Sequence, residues 1–340
     1  MKAAVFTGEK NLLIEEREIP TAGQDQIVVK VAACGVCHTD EGYIEGVPTF
    51  KKPPIVLGHE ASGYVHEIGL GVTKFEVGDA VLIPPVLCCG LCRFCLNGQE
   101  TLCIKQEMLG NHIDGAFAEY ILVHAKDVVK IPKGIPIKEA AIVSDAVATP
   151  YHAVFERAKV RPGDTVVIIG CGGVGINVIQ FTSMIGAKVI AIDLQQSKLE
   201  LALSLGANYI INPNESDVRK EVKNIVSHVD FVFEVVGNPI TQQLGFDLLS
   251  SGGTLVLVGY SPKKWDAFFS GKVMFRELNI IGSLGCSPKS FERILHLIQQ
   301  GKIQLESLIT HRYKLEQINE AFNQLRSGDS LRILIEIGDE

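Results

Sequence analysis

The sequence predicts an α/β protein with two architectures: a doubly wound, parallel-sheet domain, and a second, mainly β domain of irregular build. Three observations carry this. From Asp164 onward continuous apolar runs alternate with helical stretches, as in a parallel sheet covered on both faces. Before about residue 140 the apolar segments are short and broken by Gly and Pro, as in an antiparallel domain. The length, 340 residues, fits two domains of ~150 residues each.

In the first region Ile27–Ala32, Ala61–Ile68 and Ala80–Ile83 read as strands. The alternating region begins with strand Thr165–Ile169, helix Gly173–Ile185, strand Val189–Ile192, helix Lys198–Leu205 and strand Tyr209–Ile211. It resumes with strands Phe231–Val235, Leu255–Val258 and Ile280–Ile281. After Gly282 two amphipathic helices, Phe291–Gln300 and Ile318–Arg326, precede a last strand, Arg332–Ile337. Neither an internal repeat nor a low-complexity linker interrupts this order.

A composition of 46% hydrophobic and 21% charged residues is that of a globular enzyme. The net charge is −7 and no Lys or Arg run makes a stripe for tracking phosphates, which excludes nucleic acid as the expected partner. No apolar run approaches ~18 residues, so no membrane partner is expected. Lys2, Glu9, Lys10, Glu15 and Glu16 stand where a signal peptide would need its apolar centre, which makes the cytoplasm the expected location. The nine Cys are an odd number, and five of them fall within sixteen residues, a clustering that argues for metal rather than disulfides.

The strand Val166–Ile169 leads into Gly170-Cys171-Gly172-Gly173-Val174-Gly175, and a helical pattern follows at once. Glycines permit the tight turn and the close approach of a pyrophosphate, and the helix N-terminus offers free N–H groups to it, which is the Rossmann arrangement. Gly170, Gly172, Gly173, Val174 and Gly175 are therefore candidate cofactor-binding residues. The next strand leads to Asp193, eighteen residues after Gly175, where a carboxylate accepts from both ribose hydroxyls. A helix N-cap is the other reading of Asp193. Leu194, Gln195 and Gln196 follow without an Arg for a 2′-phosphate, which favours NAD over NADP.

Cys89, Cys92, Cys95 and Cys103 form C-x2-C-x2-C-x7-C, four thiolates on one short loop. They suit a closed, structural zinc site, with an exchange of Cys88 for Cys89 left open. A second candidate set is dispersed: Cys37 within Cys34–Asp40, His59 beside Glu60, and Asp145 as an oxygen donor. Singly, a Cys or His of this kind is more often a structural residue. The pair His59–Glu60 lacks the second His of a zinc-protease helix, since Gly63 stands there.

In order and spacing, the run from Gly58 to Val72, the element Cys37–Asp40, the four-Cys loop and the glycine turn resemble the medium-chain zinc alcohol dehydrogenases. The likeness runs over essentially the whole chain. It implies a GroES-like catalytic domain made of residues 1–145 and 283–340, split by a Rossmann NAD-binding domain at 146–282, with the active site in the cleft where they meet. It also implies two zinc ions per chain: a catalytic one on Cys37 and His59, with Asp145 where the family often has Cys, and a structural one on the four-Cys loop. The implied reaction is hydride transfer between an alcohol and NAD, with zinc as Lewis acid. Thr39 matches the hydroxyl that takes the alcohol proton, Asp40 the carboxylate that orients His59, and Glu60 a residue that approaches the metal during ligand exchange. Thr149 matches a side chain against the nicotinamide, Val258 is placed among the cofactor contacts, and Arg332 either pairs with the pyrophosphate or is a solvated surface residue. Where many relatives end the proton relay with a His, this chain has Gly42, which leaves His38, Tyr43, water or direct exchange with solvent to complete it.

The stretch Ser144–Ala153, together with Gly42, resembles the branch of 6-hydroxycyclohex-1-ene-1-carbonyl-CoA dehydrogenases. That resemblance points to a cyclic or bulky secondary alcohol as the small-molecule substrate, with a hydroxyacyl-CoA among the candidates. Beside it stand a general alcohol or polyol dehydrogenase and, from another class, a non-catalytic zinc-binding or redox-sensing protein. Relatives join two cofactor domains through sheet edges, so a homo-oligomer, dimer or tetramer, is expected, with Leu255–Val258 and Ile280–Ile281 as candidate edges.

Overall fold

A computed structural model describes residues 1–266 and 268–338. The chain divides into two compact units, Met1–Ala148 with Gly285–Glu340, and Thr149–Leu284. Among the described residues no helix is long and apolar enough to cross a membrane.

The first unit is organised by one long strand, Gln26–Val36, whose residues are nearly all buried. It pairs antiparallel with Glu60–Ile68 along one side. Along the other side its first half pairs with Tyr120–His124 and its second half with Arg332–Glu336. The register sets Gly35 opposite Glu60 and Val36 opposite Ile333, so residues far apart in the chain gather where the strand ends, beside Cys37. Helix Ile318–Ser327 covers the sheet with Ile318, Ala321, Phe322 and Leu325, the apolar stripe of an amphipathic helix, and stops at Gly328 in the left-handed region. Phe322 meets Phe117 edge to face at 6.1 Å in the core.

The second unit holds a six-stranded parallel sheet. Its order is Tyr209–Ile211, Lys188–Ile192, Thr165–Ile169, Phe231–Glu234, Thr254–Leu257, Asn279–Gly282, so that the chain winds outward in both directions from the strand before the glycine turn. Helices Gly175–Ile185 and Gln196–Ser204 lie where the periodicity places them. Helices Val218–Ile225 and Pro239–Leu248 escaped that reading, the first because its apolar residues are few. Both begin at a side-chain cap, Asp217 accepting from the Lys220 N–H and Asn238 from the Ile240 N–H. One expectation is corrected. Leu255–Val258 is not a sheet edge, because Thr254–Leu257 is paired on both sides; of the two candidates only Ile280–Ile281 lies on an edge strand.

His152, in the π-helical segment His152–Ala158, is buried, and its Nδ1 meets no hydrogen-bond partner among the described residues. Burial lowers its pKa to about 4, assisted by the Arg157 charge. The folded state therefore refuses a proton that the unfolded chain accepts below pH ~6.5, and stability held above that pH is lost as pH falls toward 4. His152→Leu removes this pH dependence. Melting curves of the two proteins, overlaid at neutral pH, are expected to separate by on the order of 5 °C near pH 4.5, with the wild type lower.

Candidate functional site

Three elements deliver one donor each to a common point. Cys37 follows the central strand, His59 precedes the strand Glu60–Ile68, and Asp145 stands in the turn after Ala141–Val143. Asp145 Oδ2 lies 3.7 Å from Cys37 Sγ and 3.6 Å from His59 Nε2. Donors bound at ~2.0–2.3 Å to a tetrahedral ion stand about 3.4–3.8 Å apart, so this set fits zinc. A thiolate, a neutral imidazole and a carboxylate also balance a divalent charge.

The ring of His59 is held from behind. Its Nδ1 is 3.2 Å from Asp40 Oδ1, which also accepts the Gly58 N–H at 3.0 Å. That bond fixes the tautomer with Nε2 turned to the other donors. Burial opposes charge on the ring, yet Asp40 and Asp145 outweigh it and raise the His59 pKa well above its ordinary range. A place that favours positive charge so strongly is one that a metal cation can fill. Thr39 Oγ1 lies 3.6 Å from Cys37 Sγ, which also accepts the Thr39 N–H at 3.5 Å and so caps the helix His38–Ile44.

Glu60 is fully buried beside the donors. Its Oε1 accepts from the Ala146 N–H at 2.7 Å and from Arg332 Nη2 at 3.0 Å. Burial pushes Glu60 up to about 7, against the pull of Arg332. A Cβ on Gly35 would stand 1.7 Å from Glu60 Oε2, so glycine there makes the room for the carboxylate. Arg332, only 4% exposed, also lies 3.6 Å from Asp145 Oδ2. Arg332 is thus no solvated surface residue but the buried counter-ion of two carboxylates, and its Nε has no partner among the described residues. Of the relay candidates, His38 is exposed, whereas Tyr43 is buried and its hydroxyl accepts from Asn111 Nδ2 at 2.5 Å.

In the four-Cys loop Cys92 Sγ is 3.5 Å and Cys89 Sγ 3.9 Å from Cys95 Sγ, and Cys103 Sγ accepts the Cys89 and Lys105 N–H groups. These spacings again fit one tetrahedral ion, and Cys89 rather than Cys88 belongs to the set. Backbone N–H groups, that of Cys95 first, hold the Cys92 thiol down to about 6, while burial pushes the Cys95 thiol up to about 12.

The glycine turn closes the strand Thr165–Ile169. Gly170 has φ +98°, and a Cβ on Gly175 would stand 1.8 Å from the Gly170 carbonyl oxygen, so both positions need glycine for the turn itself. At Gly172 a Cβ would meet nothing within 4 Å, which leaves the open approach that a pyrophosphate needs above the N-terminus of helix Gly175–Ile185. Asp193 accepts the Cys171 N–H at 2.7 Å and the Gln195 N–H at 2.9 Å; it ties the turn to the next strand and is not the cap of helix Gln196–Ser204. Val258 follows its strand at the same C-terminal end of the sheet, and Thr149 is buried at the start of this unit. Two bracing residues escaped sequence reading. Asn177 donates to the Gly173 carbonyl at 2.8 Å, and buried Glu234 accepts the N–H groups of Val236 and Gly237. A polar residue within an apolar run was the only sign of either.

Comparison with known proteins matches residues 23–133 to the alcohol dehydrogenase GroES-like domain and residues 173–300 to the zinc-binding dehydrogenase domain. An alcohol dehydrogenase of Geobacillus stearothermophilus is 36% identical over 96% of this chain and 97% of its own length. A sorbitol dehydrogenase of Halalkalibacterium halodurans is 32% identical over 98% of this chain and 99% of its own. The crystal structure of an NAD-dependent alcohol dehydrogenase superposes with a TM-score of 0.93 at 29% identity, covering 99% of this chain and 100% of the other.

Two measurements follow from this geometry. Cys103→Ser should lower the zinc content, read by atomic emission, from two ions per chain to one, with the melting temperature falling by on the order of 10 °C or the loop becoming open to protease. Gly172→Ala should leave stability within about 0.5 kcal/mol and weaken NADH binding at least tenfold, whereas Gly175→Ala should cost on the order of 2 kcal/mol of stability; titration of NADH fluorescence with thermal melts separates the two.

Proposed function

The chain belongs to the zinc-dependent medium-chain alcohol dehydrogenases, and on that premise we propose that it interconverts a secondary alcohol and its ketone with NAD as the hydride carrier. One observation carries the reading: Cys37, His59 and Asp145 converge on one point with the Thr39 hydroxyl beside them. Those three donors would hold zinc, which would supply the Lewis acidity that brings an alcohol's pKa toward neutrality, and the glycine turn would hold NAD, which would supply the hydride acceptor. The residues of the chain do the rest. Thr39 takes the hydroxyl proton, and His38, exposed and next in sequence, passes it to solvent in place of the His that Gly42 lacks. Asp40 keeps the His59 tautomer, and Arg332, hydrogen-bonded to Glu60, stands beside Asp145. On the cofactor loop Asp193 repels a 2′-phosphate, and no Arg follows it, which supports NAD over NADP.

The resemblance of Ser144–Ala153 to cyclic hydroxyacyl-CoA dehydrogenases supports a cyclic or bulky substrate. The sorbitol dehydrogenase relative supports a second reading, a polyol substrate. The strand Asn279–Gly282, paired on one side only among the described residues, suits a homo-oligomer joined through its sheets.

The test is NADH formation at 340 nm by zinc-loaded protein with NAD (a wavelength outside the protein's own absorbance), offering a cyclic hydroxyacyl-CoA, the CoA-free cyclic alcohol, sorbitol and ethanol. The cyclic secondary alcohols are expected to exceed ethanol in kcat/KM by about tenfold or more. A thioester preference of ~100-fold would assign the acyl-CoA branch, and best turnover of sorbitol would assign the polyol reading. No turnover of any would sink the enzymatic reading. Asp193→Ala is expected to narrow the preference for NAD over NADP.

A further inference from the structure

The strand Phe231–Glu234 ends in a glutamate that is fully buried, at the end of the parallel sheet that carries the glycine turn. One of its two side-chain oxygens takes all the bonds. Glu234 Oε1 accepts the Val236 N–H at 3.0 Å, the Gly237 N–H at 2.9 Å and the Thr241 hydroxyl at 2.9 Å, while Oε2 meets no partner among the described residues. The main-chain carbonyl of Glu234 accepts the Val258 and Gly259 N–H groups at 2.9 and 3.0 Å. One residue thus ties the loop that follows it to the end of the neighbouring strand.

That loop lies against the glycine turn. A Cβ on Gly170 would stand 2.7 Å from Val236 Cγ2, and one on Gly175 would stand 3.0 Å from Val235 Cγ2. The Val235 N–H also donates to the Ile169 carbonyl at 3.2 Å, immediately before the turn. On its other side the loop meets residues 258–260: a Cβ on Gly237 would stand 2.1 Å from the Tyr260 carbonyl oxygen, and one on Gly259 2.2 Å from the Gly237 nitrogen. Three segments are therefore stacked without slack, turn against loop against strand end, and atoms packed so closely pass a displacement on. The loop is the middle layer, and Glu234 fixes its curvature.

We propose that Glu234 is a positioning residue for NAD: by holding the loop 235–237 it sets the glycine turn and Val258 in the places that receive the dinucleotide. It acts through Val235 and Val236, since its own side chain is sealed from solvent. This rests on the dehydrogenase reading and adds to it a residue outside the glycine motif. Burial raises the Glu234 pKa, against the pull of the Thr241 hydroxyl and the loop N–H groups. A proton on Oε2 leaves every bond to Oε1 intact, so a neutral amide in the same place still holds the loop.

The experiment compares zinc-loaded wild type, Glu234→Gln and Glu234→Leu by NADH fluorescence titration, by kcat and KM for NAD with cyclohexanol, and by hydrogen exchange without cofactor. Glu234→Leu is expected to raise the NADH Kd and the KM for NAD together by about tenfold, with kcat at saturating NAD within about twofold, and Glu234→Gln to stay within about twofold of wild type throughout. In Glu234→Leu the amides of residues 171–176 should exchange faster along with those of 235–240, although none of the former bonds to Glu234. Acceleration confined to 235–240, unchanged NADH affinity in Glu234→Leu, or a Gln variant as weak as the Leu variant would overturn the proposal. Should Glu234→Leu fail to fold, Thr241→Val removes one of the three donors at nearly constant volume; a loss of about threefold in NADH affinity is then expected, and no loss overturns it. Coupled exchange supports the positioning of the turn even where no NADH binds and no alcohol turns over, the outcome that would sink the dehydrogenase reading instead.

Discussion

The strand Gln26–Val36 hydrogen-bonds to three others, and its register decides whether a metal centre exists. Gly35 opposite Glu60 and Val36 opposite Ile333 bring Cys37, His59, Glu60 and Arg332 to one end of one sheet. A slip by one residue on either side would turn the pleat over and carry Glu60 or Arg332 to the wrong face. Such a slip is costly because nearly every residue of the strand is buried, so both faces already have partners in the core. The precision of the donor set is inherited from backbone pairing and core packing, with little left to the side chains themselves.

Electrostatics then sets the character of the place. Cys37, Asp145, Asp40 and Glu60 crowd acidic groups into a buried volume where Arg332 is a fixed cation. Against the opposing effect of burial, Glu60 and its neighbours raise the Arg332 pKa further, so that cation persists at any working pH. An acidic pocket with one permanent cation is under-compensated, and a divalent ion completes the balance. Asp145 sets a second carboxylate within reach of Arg332, at 3.6 Å against 3.0 Å for Glu60, and so joins the donor set to its counter-ion.

Much of this was legible in the sequence. Periodicity fixed the strands of the parallel sheet because those strands are apolar throughout, and the glycine turn announced itself because steric limits at Gly170 and Gly175 admit no other residue. Local spacing likewise disclosed the four-Cys loop. The donors Cys37, His59 and Asp145 were readable only through resemblance, since their meeting depends on long-range pairing that no local pattern encodes. Arg332 looked like an isolated surface cation for the same reason. Asn111 was invisible: an asparagine in a Gly-flanked loop carries no mark of the buried Tyr43 hydroxyl to which it donates. Leu255–Val258 misled because an apolar strand reads alike whether it lies inside a sheet or at its border.

Gly35 bears on how such sites are inherited. The space that its missing side chain leaves is occupied by Glu60 Oε2, so positions 35 and 60 form a complementary pair of a void and a charge. Neither can drift alone. A methyl at 35 evicts the carboxylate while every metal donor stays in place, and the loss would escape any check confined to Cys37, His59 and Asp145. Descendants of this sequence could keep an intact zinc site and still lose the brace behind it through a change at a position that carries no functional group at all.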